Sequence, residues 1–537
     1  MSDTTPAPPR LLGAASTMAA GTVASRASGV ARVLVLAWVL GFTPLADAYN
    51  LANTIPNMLY DVVLGGIATA TFVPVFVERI ARDGDRKAWR SISAVVTIST
   101  VVLVAASIAT FALAPWIIDA FTALNHLGNT RSLVVLHQQR AVATTLLRWF
   151  SPQVLFYGLL SISTALLNVR HRFGAPAWVP IANNVVCIAV LCWFAAIDPT
   201  PTLQGVAMSS SQLLLLGLGT TIGVAVQWAA LVPSLVRAGG LRLRWRFDLH
   251  DEAVRAVGRL SSWTLGIVIS NQASLALVLA FAFGIGGAGP VSAYTYGWSF
   301  MQMPYAVVAV SVMAAVTPRL ARHWTHGERA EFAAQFGQGL RATMGIILPA
   351  SVGLAILSQP IVAVLLYRGH GGHGRLLAGT VLGVLAVGLP GFTCFQFAIR
   401  GLQAMQRARD AFWLYLVENA ATIALALVIG RHHMGLLTAS VSIAYTLTAF
   451  GALEVVRRRA GSLGPKGCYQ PLGRIAVGCC VMAVAVVLTS SATAWDSGVG
   501  LVARLCWSVA AGAVVFFATV AWLTRRSRRA AAARGKV

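Results

Sequence analysis

Two arginines stand six residues apart inside residues 11–40, a stretch otherwise built of apolar and small side chains: Ser25-Arg26-Ala27-Ser28-Gly29-Val30-Ala31-Arg32. Charge inside so long an apolar segment is costly in hydrocarbon and usually faces a cavity or a partner. Arginine stays protonated and presents a planar fork that grips phosphate through two hydrogen bonds. The pair, with Ser25 beside it, therefore reads as a cationic site for an anionic head group. At about 100° per residue the two side chains leave the helix roughly 120° apart, which suits a wide cavity and not a single stripe. The competing reading is a structural pair, Arg32 with Asp47.

Asp47 precedes a second apolar stretch that holds Asn53, Pro56, Asn57, Tyr60, Asp61 and Gly65-Gly66. Pro56 frees a backbone carbonyl and the glycines allow bending, as a moving helix requires. Asp47 is expected either as an arginine's partner at an outer gate or as a helix N-cap, with Gly29 and Pro56 as the gate's flexible points. Arg148, Arg341, Glu418 and Glu454 lie nearer helix ends and read as interfacial anchors. Asn183-Asn184 and Ser270-Asn271-Gln272 read as interhelical glue or cavity lining. His370, His373, His432 and His433 fall in glycine-rich or short turns and read as solvated loop residues.

No GxxxxGK[ST] run, HExxH, GxSxG or EF-loop pattern occurs, and no pair of acids sits in a long outward loop. The seven cysteines form no CxxC pair and lie in or beside apolar segments, as small packing residues do. Transport fits these residues; catalysis does not, and no enzyme is expected.

The elements that must position them follow from composition. The 537 residues are 57% hydrophobic and only 11% charged, where soluble domains carry about a quarter charged residues. Such a chain cannot cover a water-facing surface of this size. Although the formal net charge is +24, the basic residues fall in short runs between apolar segments, a membrane topology signal and not a nucleic-acid face.

A helix needs roughly 20 apolar residues to cross the hydrocarbon. About fourteen such segments are read, at 11–40, 48–78, 92–120, 141–169, 176–196, 212–236, 256–284, 289–318, 337–367, 375–403, 411–430, 434–456, 473–493 and 501–524. Continuous apolarity without period-two alternation makes the fold all-α and not a barrel. Of the 41 basic residues, 31 fall on the N-terminal side of the membrane and six on the other. The positive-inside rule then places both termini in the cytoplasm.

The expected plan is a tail (1–10), an N-lobe of six helices (11–236), a basic cytoplasmic linker (237–255) and a C-lobe of six helices (256–456). A cytoplasmic loop (457–472), helices 13 and 14 (473–524) and a basic tail (525–537) follow. The segment with Pro56 and Pro74 is faintly echoed by the one with Pro304 and Pro318, as two six-helix halves around a site would require.

Further landmarks run in order through residues 20–420. They begin with Ser25-Arg26, Gly29, Arg32, Gly41, Asp47-Ala48, Pro56-Asn57 and Phe72-Val73-Pro74-Val75-Phe76. Leu167-Asn168, Arg172-Phe173, Pro176, Pro180 and Asn183 come next, then Ser292-Ala293-Tyr294, Gln302, Pro304 and Pro318-Arg319-Leu320. Gly339-Leu340-Arg341, Pro349, Leu357-Ser358, Pro360, Tyr367 and Gly369 complete the set. In this combination the sequence resembles the MurJ/MviN family, the lipid II flippases of the multidrug/oligosaccharidyl-lipid/polysaccharide exporter superfamily.

The resemblance implies two six-helix lobes around a central cavity, helices 13 and 14 forming a groove for a polyprenyl tail, and alternating access that carries lipid II outward. By motif position Arg26, Arg32 and Asp47 match residues the family needs. Val33, Tyr60, Ser299 and Gln302 stand where many relatives carry charges, so Asn57, Tyr60, Ser299 and Gln302 are expected to line a less charged cavity. The implied setting is the bacterial cytoplasmic membrane, with lipid II, membrane lipids and cell-wall synthesis proteins as partners and no nucleic acid. No cofactor is expected; coupling to an ion or to the membrane potential is left open. The alternative substrate is another polyprenyl-linked saccharide or an amphiphile.

Overall fold

The computed structural model describes residues 9–65, 72–124, 133–170, 172–238, 243–285, 289–365, 372–464, 470–491 and 499–534. Gly66, His370, Tyr367, Gly369, linker residues 239–242 and the outer parts of both tails lie outside the described residues. The chain forms two compact units. One holds Met1–Leu124 and Thr130–Phe283, the other Asn125–Asn129 and Gly284–Val537.

The helices of the first unit are α1 (Pro9–Leu40), α2 (Pro44–Tyr60), α3 (Val73–Thr122), α4 (Leu133–Phe150), α5 (Pro152–Val169) and α6 (Gly174–Trp178). They continue with α7 (Pro180–Ile197), α8 (Leu203–Met208), α9 (Ser210–Ala229), α10 (Val232–Arg237) and α11 (Glu252–Gly284). In the second unit are α12 (Pro290–Pro304), α13 (Val310–Thr325), α14 (Arg329–Ile356), α15 (Ser358–Leu365), α16 (Gly372–Ala404), α17 (Ala408–Leu425), α18 (Met434–Ala460), α19 (Gln470–Ser491) and α20 (Val499–Arg534).

Thirteen helical runs among the described residues are long and apolar enough to cross a membrane. The fourteenth expected segment is α2, whose 17 residues end in a π-helical turn, Asp61–Gly65. This is a multi-pass, all-helical membrane protein. The division falls after Phe283, so the segment 256–284, expected to open the C-lobe, groups here with the first unit. The reason is visible at the start and in the middle of α11: Glu252 pairs with Arg79 at 2.8 Å, and Gln272 hydrogen-bonds Asp61 at 3.0 Å.

A proline precedes two of the π turns. Pro56 inside α2 cannot donate to the helical ladder, and the π turn begins five residues later. Pro304 ends α12, and a second π turn, Tyr305–Ala309, follows at once. The faint internal echo thus has a structural counterpart: each unit carries a proline followed by a π turn.

The first unit packs α7 against α1 and α9, α2 against α4, and α3 against α5. Small residues set the closest approaches, as between helices lacking a hydrophobic drive to associate in lipid. In the second unit α16 is central, with 61% of its most apolar stretch buried against 17% for α20. The pair α19–α20 packs on α14 and α15 through Leu357, Ile475, Cys479, Met482, Val486 and Phe516.

Candidate functional site

The first unit gathers a polar cluster from six elements. From α1, Arg32 is half-buried with Cys187 of α7, Tyr49 and Tyr157 as its polar neighbours, and the Cys187 thiol donates to Asn183 Oδ1 at 3.2 Å. Tyr49 of α2 is fixed by a 2.8 Å hydrogen bond with the Thr220 hydroxyl of α9 and packs edge-on against Phe150. Tyr157 of α5 lies 5.7 Å, ring to ring, from Tyr60, and Asn57 Nδ2 donates to the Asn53 carbonyl of its own helix at 3.1 Å. A guanidinium that cannot discharge is therefore held among hydroxyls, an amide and a thiol, so the charge of Arg32 is solvated by protein dipoles.

Next to this lies the cluster's carboxylate, Asp61, the first residue of the π turn. It accepts from Gln272 Nε2 at 3.0 Å. The other Gln272 atom, Oε1, and Asn53 Oδ1 are buried without a protein hydrogen-bond partner. Each of these unsatisfied acceptors, Gln272 Oε1 beside Asp61 and Asn53 Oδ1 about two turns earlier on α2, leaves room for a donor from water or a ligand, since buried polar atoms are otherwise nearly always paired.

Sequence-derived candidates divide among three places. Arg32, Asn57 and Tyr60 come together in the cluster. Ser25 lies along α1 from it, where its carbonyl accepts from Ser28 Oγ at 2.9 Å and from Asn184 Nδ2 at 3.4 Å. Asn184 also donates to Ser28 Oγ at 2.9 Å, so it does join α7 to α1. Arg26 is exposed, while Arg32 is half-buried, as their 120° separation requires. Ser299 and Gln302 belong to the second unit. There the Ser299 hydroxyl donates to the Thr295 carbonyl of its own helix at 2.8 Å, and Gln302 is half-buried.

Among the gate candidates, Asp47 is fully buried in the first turn of α2. The N-cap alternative fails: Thr43 is the cap, its hydroxyl accepting from the Ala46 N–H at 3.2 Å. Asp47 instead places its charge at the positive end of the helix dipole. Pro56 is buried within α2. A Cβ on Gly29 would meet only Asn184 Nδ2, at an ordinary 3.6 Å.

Glu418 is not an interfacial anchor. It is 1% exposed in α17, where Thr422 Oγ1 donates to its Oε1 at 3.0 Å and Oε2 has no protein partner. Tyr415, on the same helix, donates to Gln396 of α16 at 2.9 Å and packs edge-on against Phe395, which also meets Tyr445 of α18. Glu454, by contrast, does sit at a helix end, where Arg457 and Arg458 reach it at 2.6 and 2.8 Å.

Sequence reasoning left Tyr49, Tyr157, Cys187 and Asp61 out of the site and read Gln272 as interhelical glue or cavity lining; its bond to Asp61 is of the first kind. Asp61 and Gln272 carried a signal, as polar groups inside apolar runs. The two tyrosines and the cysteine did not, because such residues are ordinary in membrane helices.

Comparison with known proteins assigns the fold and family. A solved structure titled "Lipid II flippase MurJ, inward closed conformation" superposes with a TM-score of 0.76 at 19% identity, covering 95% of this chain and 99% of that one. The Rhizobium meliloti protein named "Probable lipid II flippase MurJ" is 27% identical over 418 residues, 77% of this chain and 74% of the relative. The Burkholderia cenocepacia "Lipid II flippase MurJ" is 24% identical over 464 residues, 85% and 84% of the two chains. The family model described as "Lipid II flippase MurJ" matches residues 36–505, spanning α2 through α19 with Asp61, Cys187 and Glu418, and the chain belongs to that family.

Proposed function

We infer that this protein moves lipid II, the undecaprenyl-pyrophosphate-linked disaccharide-peptide, from the inner to the outer leaflet of the bacterial cytoplasmic membrane. The family match carries the substrate. The observation in the fold that supports it is Arg32, a permanent cation held inside a membrane unit by neutral polar side chains. Such a group offers a pyrophosphate two parallel, charge-assisted hydrogen bonds.

In this reading Arg32 and the exposed Arg26 receive the pyrophosphate, and Asn57 and Tyr60 contact the sugar–peptide head. The polyprenyl chain stays in lipid. Asp47, at the first turn of α2, engages an arginine as the outer gate closes, with Pro56 and Gly29 as its flexible points. Nothing covalent happens to the substrate. No cofactor enters; an ion gradient or the membrane potential supplies direction. An inside-negative potential favours outward movement of an anion by about 2.3 kcal/mol per charge per 100 mV. Both termini face the cytoplasm, and cell-wall synthesis proteins take up the delivered product.

The uncharged Ser299 and Gln302 favour one rival, an exporter of another polyprenyl-linked saccharide or amphiphile. Both readings are separated in cells depleted of their own flippase and supplied with this chain, using a probe that attacks only outward-facing lipid II. Restored outward lipid II, lost again in Arg32→Ala at equal protein level, is the expected result. Stable, inserted protein with no outward lipid II transfers the assignment to the rival.

A further inference from the structure

The connection between α10 and α11 is more than a tether. Its described part, Leu243–Asp251, runs without helix along α3, and its backbone is held there by side chains of that helix. The Arg244 N–H donates to Ser93 Oγ and the Arg246 N–H to Thr97 Oγ1, both at 3.2 Å. Ser91 Oγ donates to Asp251 Oδ2 at 2.9 Å. Leu243 packs on the core shared by α3 and α5. From that fixed start, Trp245, Phe247 and Leu249 are 80%, 66% and 53% exposed. Arg244 and Arg246 are exposed as well, and Arg246 pairs with Asp248 at 2.8 Å.

Depth on α3 identifies what covers these side chains. The apolar run Ala88–Thr122 has 35 residues, a rise of about 52 Å against roughly 30 Å of hydrocarbon. Twenty residues counted back from Thr122 reach about residue 103, so Thr97 and Ser93 stand about 9 and 15 Å beyond the hydrocarbon, at the headgroup layer and its aqueous edge on the arginine-rich side. Tryptophan and phenylalanine beside arginine is the composition of a segment lying in the headgroup layer. The basic side chains match the anionic surface of a cytoplasmic leaflet.

We propose that residues 243–250 form an anchor in the inner leaflet: Trp245, Phe247 and Leu249 enter the interface, and Arg244 and Arg246 bind anionic phospholipid headgroups. The occupant is phospholipid, independent of what the protein transports. The side of the membrane follows the distribution of basic residues along the chain.

A photoreactive phenylalanine analogue at position 247 of the full-length protein tests this in nanodiscs of equal parts phosphatidylcholine and phosphatidylglycerol. Irradiation should yield lipid adducts enriched in phosphatidylglycerol by roughly fivefold or more, the worth of one arginine at an anionic surface. In Arg244→Gln/Arg246→Gln protein that unfolds at the same temperature, adducts should persist while the enrichment disappears. Adducts in the proportion of the lipids supplied would overturn the anionic preference. An absence of lipid adducts, with the label cross-linked to the protein's own helices, would overturn the anchor altogether.

Discussion

Gln272 of α11 donates to Asp61 of the π turn at 3.0 Å, across 211 residues of sequence. The bond ties the helix that closes the first unit to the point where α2 leaves regular geometry. Replacing Asp61 with Leu removes the acceptor and leaves the Gln272 amide, whose Oε1 already lacks a partner, wholly unpaired. An orphaned buried polar group costs about 1–3 kcal/mol, although hydrogen bonds in membrane helices average nearer 0.6. Asp61→Leu should lower the thermal midpoint in detergent. Asp61→Asn, which keeps an acceptor oxygen, should lose less than half as much. Equal losses in both would mean that the charge, and not the hydrogen bond, holds the junction.

Arg32 meets Cys187, Tyr49 and Tyr157, and a lysine there would keep the charge but lose the fork. If pyrophosphate is gripped bidentately, Arg32→Lys should fall at least about tenfold in lipid II translocation, the effect of one lost charge-assisted hydrogen bond. Arg26→Lys should be milder, because Arg26 is exposed and its stem is free to adjust. Translocation by both variants in reconstituted vesicles gives the ranking; full activity in Arg32→Lys would rule out fork geometry as the requirement.

Much of the fold is legible in the sequence, because the constraint is a single one: each crossing must satisfy its own backbone in lipid, so long apolar runs are helices. The site was less legible. Arg32 announced itself as charge in an apolar run, and Asn184 proved to be the expected glue between α7 and α1. Glu418 was misplaced as an anchor because distance from a predicted helix end is a poor guide to depth. Ala408 opens α17 only ten residues before it, yet Glu418 is 1% exposed. Tyr157 and Cys187 could not have been chosen, since what marks them is the identity of the residue on the facing helix. Nor could residue periodicity have distinguished Thr43 from Asp47 as the cap of α2; that depends on which oxygen reaches the first free N–H.

Two glycines should respond in opposite ways to alanine. A Cβ at Gly391 of α16 would stand 2.4 Å from Thr446 Oγ1 and 2.6 Å from the Thr446 Cα of α18. A backbone atom cannot turn aside, so the helices must part, at a cost of about 1–3 kcal/mol. At Gly29 the nearest atom is 3.6 Å away, and alanine favours a helix interior by up to about 1 kcal/mol. Gly391→Ala should therefore unfold at a lower temperature, and Gly29→Ala at the same or a higher one. If Gly29 is a flexible point of the gate, its alanine variant should also transport more slowly despite its stability. Unchanged transport would remove Gly29 from the gate.

The docked linker should carry a pH dependence of defined sign. Glu252, at the start of α11, accepts from Arg79 of α3 at 2.8 Å. That hydrogen bond and the arginine's charge hold its carboxyl below the ordinary glutamate value of 4.5. A depressed pKa stabilises the docked state fully above the undocked value, and the contribution is lost as pH falls through the lower, docked one. Arg79 keeps its charge throughout. Protection of residues 243–252 against hydrogen exchange, corrected for intrinsic rates, should therefore hold from neutral pH down to about 4.5 and decline below it. Glu252→Gln should lower the protection at neutral pH and flatten this decline. Because Glu252 is 63% exposed, salt should weaken the same contact. An unaltered profile in Glu252→Gln would assign the docking to Ser91, Ser93, Thr97 and the packing of Leu243.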